Sequence, residues 1–343
     1  MIQQQKVVVI KKNTVKFNNR RIMLDLSKDH TIGVDIGGTN TKYGIVNHRG
    51  QIVFEGSIKT DHYEDVAEFI DALYQKLQPE IERMNDINFI GIGVGAPNGN
   101  FYTGTIDYAP NLKWKGVIPL AKLFSEKFGI PSKLTNDANA AAVGEMMYGA
   151  ARGMKDFIMI TLGTGVGSGI FANGELILGH DGFAGELGHT IVVPGGRLHP
   201  NTGALGSLEA YCSATGVTFT AKEYLTGTEE ASTLRDIEIE ELDSKAVFDA
   251  AVSGDSLAQK VFKTTGDILG MALANFVMFS SPEAIILFGG LTKAGDILMN
   301  PIKESMERNL LPIFKDKVKL IFSELKESDA AILGASALVW DRG

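Results

Sequence analysis

A single cysteine, Cys212, is the whole thiol content of this 343-residue sequence. That excludes an internal disulfide and fits a reducing compartment. Long apolar runs are missing, so no segment reads as a membrane span. The start also lacks the charged and apolar regions of a secretory signal. Positive charge is in deficit: 33 Lys and Arg stand against 41 Asp and Glu, a formal net charge of −8. This balance argues against broad nucleic-acid binding, although it is compatible with a local basic patch. The pattern GxxxxGK[ST] does not occur, so any nucleotide must be held by another kind of loop. No stretch is of low complexity and no short repeat period appears, which excludes a solenoid. A cytoplasmic globular protein without a membrane partner is the expectation these absences leave.

What is present is ordinary for such a protein: 44% hydrophobic and 22% charged residues. The length suits two domains or lobes, each able to bury a core. The first 30 residues are more basic than the rest. "KVVVIKK" (6–12) reads as a short strand, in an N-terminal extension or small hairpin, or in an arm for DNA or a partner.

Two stretches share one grammar. "TIGVDIGGTNTKYGIVNHRGQIVFEGSI" (31–58) reads strand, glycine turn, strand, polar turn, strand, and "DFIMITLGTGVGSGIFANGELILG" (156–179) reads the same way. Each is followed by an apolar strand running into glycines, "FIGIGVGAPNG" (89–99) and "AIILFGGLT" (284–292). Helical periodicity covers 63–84, 118–128 and 256–280, and a small-residue helix is expected over 328–340. Strands alternating with helices predict α/β layering, and the repeated meander predicts two related lobes facing a cleft.

Chemistry collects on the loops after these strands. In "DIGGTNTK", Asp35 ends a strand and is placed to hold Mg²⁺ through water. Gly37 and Gly38 permit φ > 0 and close approach to an anion, Thr39 adds a hydroxyl, and Lys42 could reach a phosphate. Gly163, Thr164 and Gly165 form a second such loop, and Gly289 and Gly290 would allow a flat ring such as adenine to approach. Between them stand Asn98, Asn111, Asn136, Asp137, Glu186, His189 and Glu209, a set of amides and acids suited to sugar hydroxyls. Asp137, at a strand-to-helix junction, reads equally as a working carboxylate and as a helix cap.

Taken in order, "DIGGTNTK", "APNLKW", "NDANAAAVGE", "LGTGVGSG", "GELGH" and "LFGGL" resemble the motifs of the ROK family of repressors and sugar kinases, within the actin/hexokinase-like superfamily. The resemblance runs from Thr31 to the end. It implies two actin-like (ribonuclease H-like) α/β lobes, each a mixed sheet with flanking helices, around a central cleft. Residues 1–30 would be an extension, 31–134 a small lobe completed by the helix at 328–340, and 135–327 a large lobe. It also implies ATP and Mg²⁺ as cofactors, a homodimer, and phosphorylation of a hexose, glucose first, at the 6-hydroxyl with Asp137 as general base. Glu186, His189 and Glu209 would contact the sugar near its 1-, 2- and 3-hydroxyls. A kinase for an N-acetylated hexosamine or for fructose is an alternative. So is a sugar-responsive regulator, although such proteins carry a winged helix-turn-helix and only 30 residues precede Thr31 here. Many ROK proteins hold a zinc with the "GH" histidine and three cysteines in a CxCGxxGC pattern. Those cysteine positions are Pro200, Thr202 and Ser207 here, so no structural zinc is expected.

Overall fold

The computed structural model describes residues 14–17, 20–23, 28–200 and 202–340. The strand expected over 6–12 lies outside them. A backbone hairpin of β1 (Thr14–Phe17) and β2 (Arg20–Met23) precedes the lobes.

The first meander is β3 (Asp29–Ile36), β4 (Asn40–Asn47) and β5 (Ile52–Lys59). Helix α1 (Val66–Arg83) follows, and begins after residue 63 because Asp65 is its cap, accepting hydrogen bonds from the amides of Ala67 and Glu68. Next come β6 (Asn88–Gly95), a small sheet of β7 (Gly99–Asn100), β8 (Thr105–Asp107) and β9 (Val117–Ile118), then α2 (Leu120–Phe128) and β10 (Ser132–Thr135). Pro119 delays α2 relative to the expected start at 118, since the residue before a proline is driven to extended backbone. Apolar residues of α1 and α2, among them Phe69, Leu73, Leu77, Leu120 and Phe124, bury against β3 and β6 around Trp114.

Helix α3 (Asp137–Tyr148) leads to the second meander, β11 (Phe157–Leu162), β12 (Val166–Ala172) and β13 (Glu175–Leu176). The third strand, expected to reach 179, is only two residues long. The chain leaves the sheet there and turns through Gly179, Gly182 and Gly185, all at positive φ, to form the loop carrying Glu186. Helices α4 (Leu208–Cys212), α5 (Ala214–Gly227), α6 (Ser244–Val252) and α7 (Ser256–Ser280) build a mostly helical layer, followed by β14 (Ala284–Phe288), α8 (Asp296–Asn309), β15 (Lys319–Phe322) and α9 (Glu327–Trp340).

The internal duplication holds in the topology. One sheet runs β10-β6-β3-β4-β5 and the other, read in the same sense, β15-β14-β11-β12-β13. In each the meander is antiparallel and the two later strands add in parallel.

Two helices pack between the sheets. Gly33, Gly44 and Gly93 stand side by side in register across β4, β3 and β6. A Cβ on Gly33 would overlap the carbonyl oxygen of Ile332, and one on Gly93 that of Ala335, so α9 lies directly on this bare strip of sheet. On its other side α9 meets α3, where a Cβ on Gly144 would come within 2.8 Å of Gly334 Cα. Helix α3 in turn covers β12, where Gly167 and Gly169 make room for Ala138 and Ala142. Among the described residues no helix is long and apolar enough to cross a membrane.

Candidate active site

The loops at the strand ends of both halves line one cavity of about 670 Å³. Asn98, Asn111, Asn136, Asp137, Gly163, Thr164, Gly165, Glu186, His189, Glu209, Gly289 and Gly290 all contribute, so all seven residues of the expected sugar set share this space with the second and third glycine loops. A neighbouring cavity of about 440 Å³ shares Gly163, Thr164 and Gly290 with it and extends between Phe248, Leu291 and Ala294.

The question of Asp137 is settled in part by its neighbour. Asn136 is the N-cap of α3: its Oδ1 accepts from the amide of Asn139 at 2.6 Å. Asp137 is therefore free of that duty, one residue into the helix. One of its oxygens accepts from the Ala138 amide at 2.8 Å. Burial raises its pKa above the ordinary carboxylate value, and that backbone hydrogen bond opposes the shift. Asn136 keeps its amide N–H groups for the cavity. Asn98, at φ 51°, uses its own amide N–H on the Asp107 carbonyl at 2.9 Å, which leaves its Oδ1 as an acceptor.

Asp35, Gly37, Gly38, Thr39 and Lys42 are not part of the cavity wall. Asp35 sits behind it, paired in register with Lys42 on β4, and a Cβ on Gly95 would be 3.6 Å from its Oδ1 and 3.7 Å from Asp137 Cα. Burial first, and the nearby Asp137 second, push its pKa up to about 7, with Lys42 pulling the other way. Two carboxylates short of positive charge fit a divalent cation. Among the described residues no cluster of three or more His, Cys, Asp or Glu could hold a metal. Most ligands would therefore come from water and from a bound phosphate, as is usual for Mg²⁺.

Positive φ, one of the two reasons expected for the glycines, does not apply to most of them. None of Gly37, Gly38, Gly163 and Gly165 has positive φ. Close approach explains three of them instead. A Cβ on Gly37 would lie 2.9 Å from the Asn40 carbonyl oxygen and one on Gly38 2.8 Å from that of Asn111, while one on Gly165 would overlap the Glu209 carboxylate. Gly289, at φ 108°, does need its conformational freedom.

Acids dominate the sugar side. Burial raises the pKa of Glu186. His189, whose Nε2 is 3.8 Å from its carboxylate, lowers it, and Asp137 and Glu209 raise it further. Glu209 accepts from the Val166 amide at 2.7 Å and pairs with His199 Nε2 at 2.6 Å. Among the described residues, no lysine or arginine lines this cavity.

The titration of Asp35 has a measurable consequence. Its pKa is raised from 3.8 to about 7 in the fold. The stability tied to its proton is therefore complete below the ordinary value and is lost as pH rises through about 7. The melting temperature of the free protein is expected to fall as the pH rises from about 5 to about 7. Asp35→Asn should reduce that slope and melt higher than wild type at pH 8. Thermal melts across this range test it, and equal slopes would count against the buried-carboxylate reading.

Sequence reasoning missed several contributors. Ser213 caps α5, accepting from the Gly216 amide, and the start of that helix is tied to the second glycine loop by Ala214 N–H to Gly163 O at 2.8 Å and Thr215 Oγ1 to Thr164 O at 3.2 Å. A serine before an apolar-periodic run was the available signal. Ser244, Lys245 and Phe248 of the neighbouring cavity carried no motif, because the fold alone brings α6 beside Gly290.

Comparison with known proteins bears on the family and the fold. The ROK family matches residues 31–342. A glucokinase of Halalkalibacterium halodurans is 39% identical over 90% of this chain and 94% of its own length. One of Thermotoga maritima is 33% identical over 91% and 97%. The crystal structure of a ROK family glucokinase from Streptomyces griseus, in complex with glucose and AMPPNP, superposes with a TM-score of 0.74 at 32% identity, covering 90% of this chain and 98% of that one. With the family matched along nine-tenths of the sequence and the two-lobed architecture shared, this chain belongs to the ROK family.

Proposed function

We propose that the protein is an ATP-dependent hexose kinase that transfers the γ-phosphoryl group to the 6-hydroxyl of glucose. The observation that carries this reading is the single cleft in which the carboxylate of Asp137, not engaged in capping α3 and open to the cavity, lies between a sugar-binding set and two glycine loops. The sugar set, Asn98, Asn111, Asn136, Glu186, His189 and Glu209, offers both donors and acceptors to vicinal hydroxyls. With no lysine or arginine among the described residues of that wall, and several acids, the site favours a neutral sugar over a phosphorylated or carboxylated one.

Phosphoryl transfer requires alignment, charge stabilisation and somewhere for the hydroxyl proton to go. Asp137 would accept that proton as the sugar oxygen attacks. The loop Gly163–Gly165, backed by the N-terminus of α5, presents backbone N–H groups and the positive end of a helix to the phosphates. Gly289 and Gly290 leave space for the nucleotide to enter the neighbouring cavity, whose apolar walls, Phe248 and Leu291, suit a base. Asp35 would hold Mg²⁺ through water, and the cation would screen the phosphate charges. The family relatives named above are called glucokinases, which places glucose first among the hexoses. A regulator could share the sugar wall but would have no use for a base at Asp137.

A panel of hexoses and N-acetylated hexosamines with ATP and Mg²⁺, followed by ADP release, tests the reading. Glucose should give the highest kcat/KM, and the absence of sugar-dependent ADP release across the panel would refute it.

Closure of the cleft is a second expectation. Contact between the two halves at the cleft rim runs through Asn100 Nδ2 to Asp181 O at 2.7 Å and Tyr102 OH to Gly179 O at 3.0 Å. Glucose would bridge loops from both halves, and closing over it excludes water that would otherwise compete for ATP. The radius of gyration in small-angle scattering should fall at saturating glucose. An unchanged radius with glucose bound would count against closure.

A further inference from the structure

The hairpin from Thr190 to Ser207 holds a buried hydrogen-bond chain that the proposed reaction does not use directly. His199 is 6% exposed. Its Nδ1 faces two groups of Thr202, the backbone N–H at 3.2 Å and Oγ1 at 3.0 Å. The amide can only donate, so Nδ1 is the acceptor nitrogen and the ring proton belongs on Nε2. Nε2 lies 2.6 Å from Glu209 Oε1 and therefore donates to it. The other carboxylate oxygen takes the Val166 amide at 2.7 Å. Each oxygen of Glu209 is thus held by one N–H, and the remaining lone pairs are left for the cavity that Glu209 lines.

The hairpin is fixed independently. Backbone bridges join Ile191 to Ser207 and Leu198 to Leu205. The Arg197 guanidinium donates to the carbonyls of Ala210 at 2.5 Å and Gly216 at 3.1 Å and pairs with Glu223 at 2.7 Å, and its backbone amide donates to the Tyr211 hydroxyl oxygen at 2.7 Å. The residues at the cysteine positions of zinc-holding relatives do not fit a metal. Pro200 has no ligand atom, Thr202 is engaged with His199, and Ser207 Oγ accepts the Ala210 amide as the cap of α4.

We propose that His199 is a positioning residue for hexose recognition: with Thr202 fixing its tautomer, it orients the Glu209 carboxylate toward the sugar hydroxyls, a task done here by a hydrogen-bond chain without metal. This rests on the hexose-kinase reading. A hydrogen bond to a charged group is worth about 10–100-fold in affinity.

Glucose binding by calorimetry without nucleotide, steady-state kinetics, melting temperature and elemental analysis together test it. His199→Phe keeps the ring shape but loses the donor. Its Kd and KM for glucose should rise by about 10–100-fold, with KM for ATP changed much less. His199→Gln, which returns an N–H near the Nε2 position, should recover a large part of the loss. Zinc should be well below one per chain. If wild type binds no hexose, both this inference and the kinase reading fail. If wild type binds glucose and His199→Phe binds it equally well, the inference alone fails. It also fails if both variants lose melting temperature and affinity alike, which would make His199 only structural, or if one zinc per chain is found whose removal abolishes glucose binding.

Discussion

Asp137→Asn should lower glucose-dependent ADP release by about 10²–10⁴-fold, the usual worth of a general base, while glucose binding stays within a few-fold of wild type. The substitution conserves size and leaves an oxygen to accept the Ala138 amide, which Asp137 now does at 2.8 Å. It leaves the cap of α3 intact, because Asn136 supplies it. Loss of activity could not then be ascribed to a frayed helix, and a melting temperature close to that of wild type is expected, since a carboxylate whose ionised form the cleft disfavours has been replaced by a neutral amide of the same size. Because the pKa of Asp137 is raised, kcat of wild type should decline as pH falls and the carboxylate takes up a proton. Single-turnover measurements with the variant separate the chemical step from product release. Turnover near the wild-type rate with tight glucose binding would show that the proton leaves by another route.

The second large effect is structural. Gly93→Ala places a methyl where the Ala335 carbonyl oxygen of α9 already stands, backbone against backbone, with no side chain able to swing away. Overpacking of this kind costs about 1–3 kcal/mol and often more when only backbone can yield. The denaturation midpoint should fall accordingly, and glucose affinity with it, because α9 also sets the position of α3 and hence of Asp137. Gly227→Ala is the matched control: nothing lies within 4 Å of that position and its φ is not in the left-handed region, so the same chemical change should be neutral or mildly stabilising. Urea melts of both variants decide the matter. Equal midpoints for Gly93→Ala and wild type would mean that α9 is not seated on the sheet as described.

How much of this was legible beforehand depends on range along the chain. The duplicated meander was readable because strand, turn and strand are neighbours in sequence, and the sheet orders repeat accordingly. The length of β13 was not, since the chain leaves the sheet there to bring the loop 179–186 against β7 and the turn that follows it, a contact between distant segments. Of the two reasons offered for the loop glycines, positive φ holds only at Gly289 among those whose conformation and contacts are described above, and the protein neighbours that crowd Gly37, Gly38 and Gly165 were not foreseen. Sequence shows that a residue is glycine, yet whether it serves φ or proximity depends on what packs against it, such as Asn111 beside Gly38 or Glu209 beside Gly165. Which residue caps α3 was not legible either: Asp137 and Asn136 are both suited to it, and only the Asn136 side chain on the Asn139 amide gives the task to Asn136. The His199–Glu209 pair was beyond reach, because only the hairpin bridging Leu198 to Leu205 folds those residues together.

The seat of α9 on the glycine strip bears on how the chain comes to be folded at all. Strands β3, β4 and β6 leave the ribosome early, and everything from α3 to β15 is made before the helix that covers them. Until then the strip of Gly33, Gly44 and Gly93, with Val46 beside it, lacks the helix that covers it. Contacts of such long sequence separation carry a large loop-closure cost and slow folding. The first half must therefore wait, partly assembled and open to chaperones or to aggregation, while the second half can complete its own sheet during synthesis. A premature stop before Glu327 would thus cost the cell the domain made earliest, not the one made last.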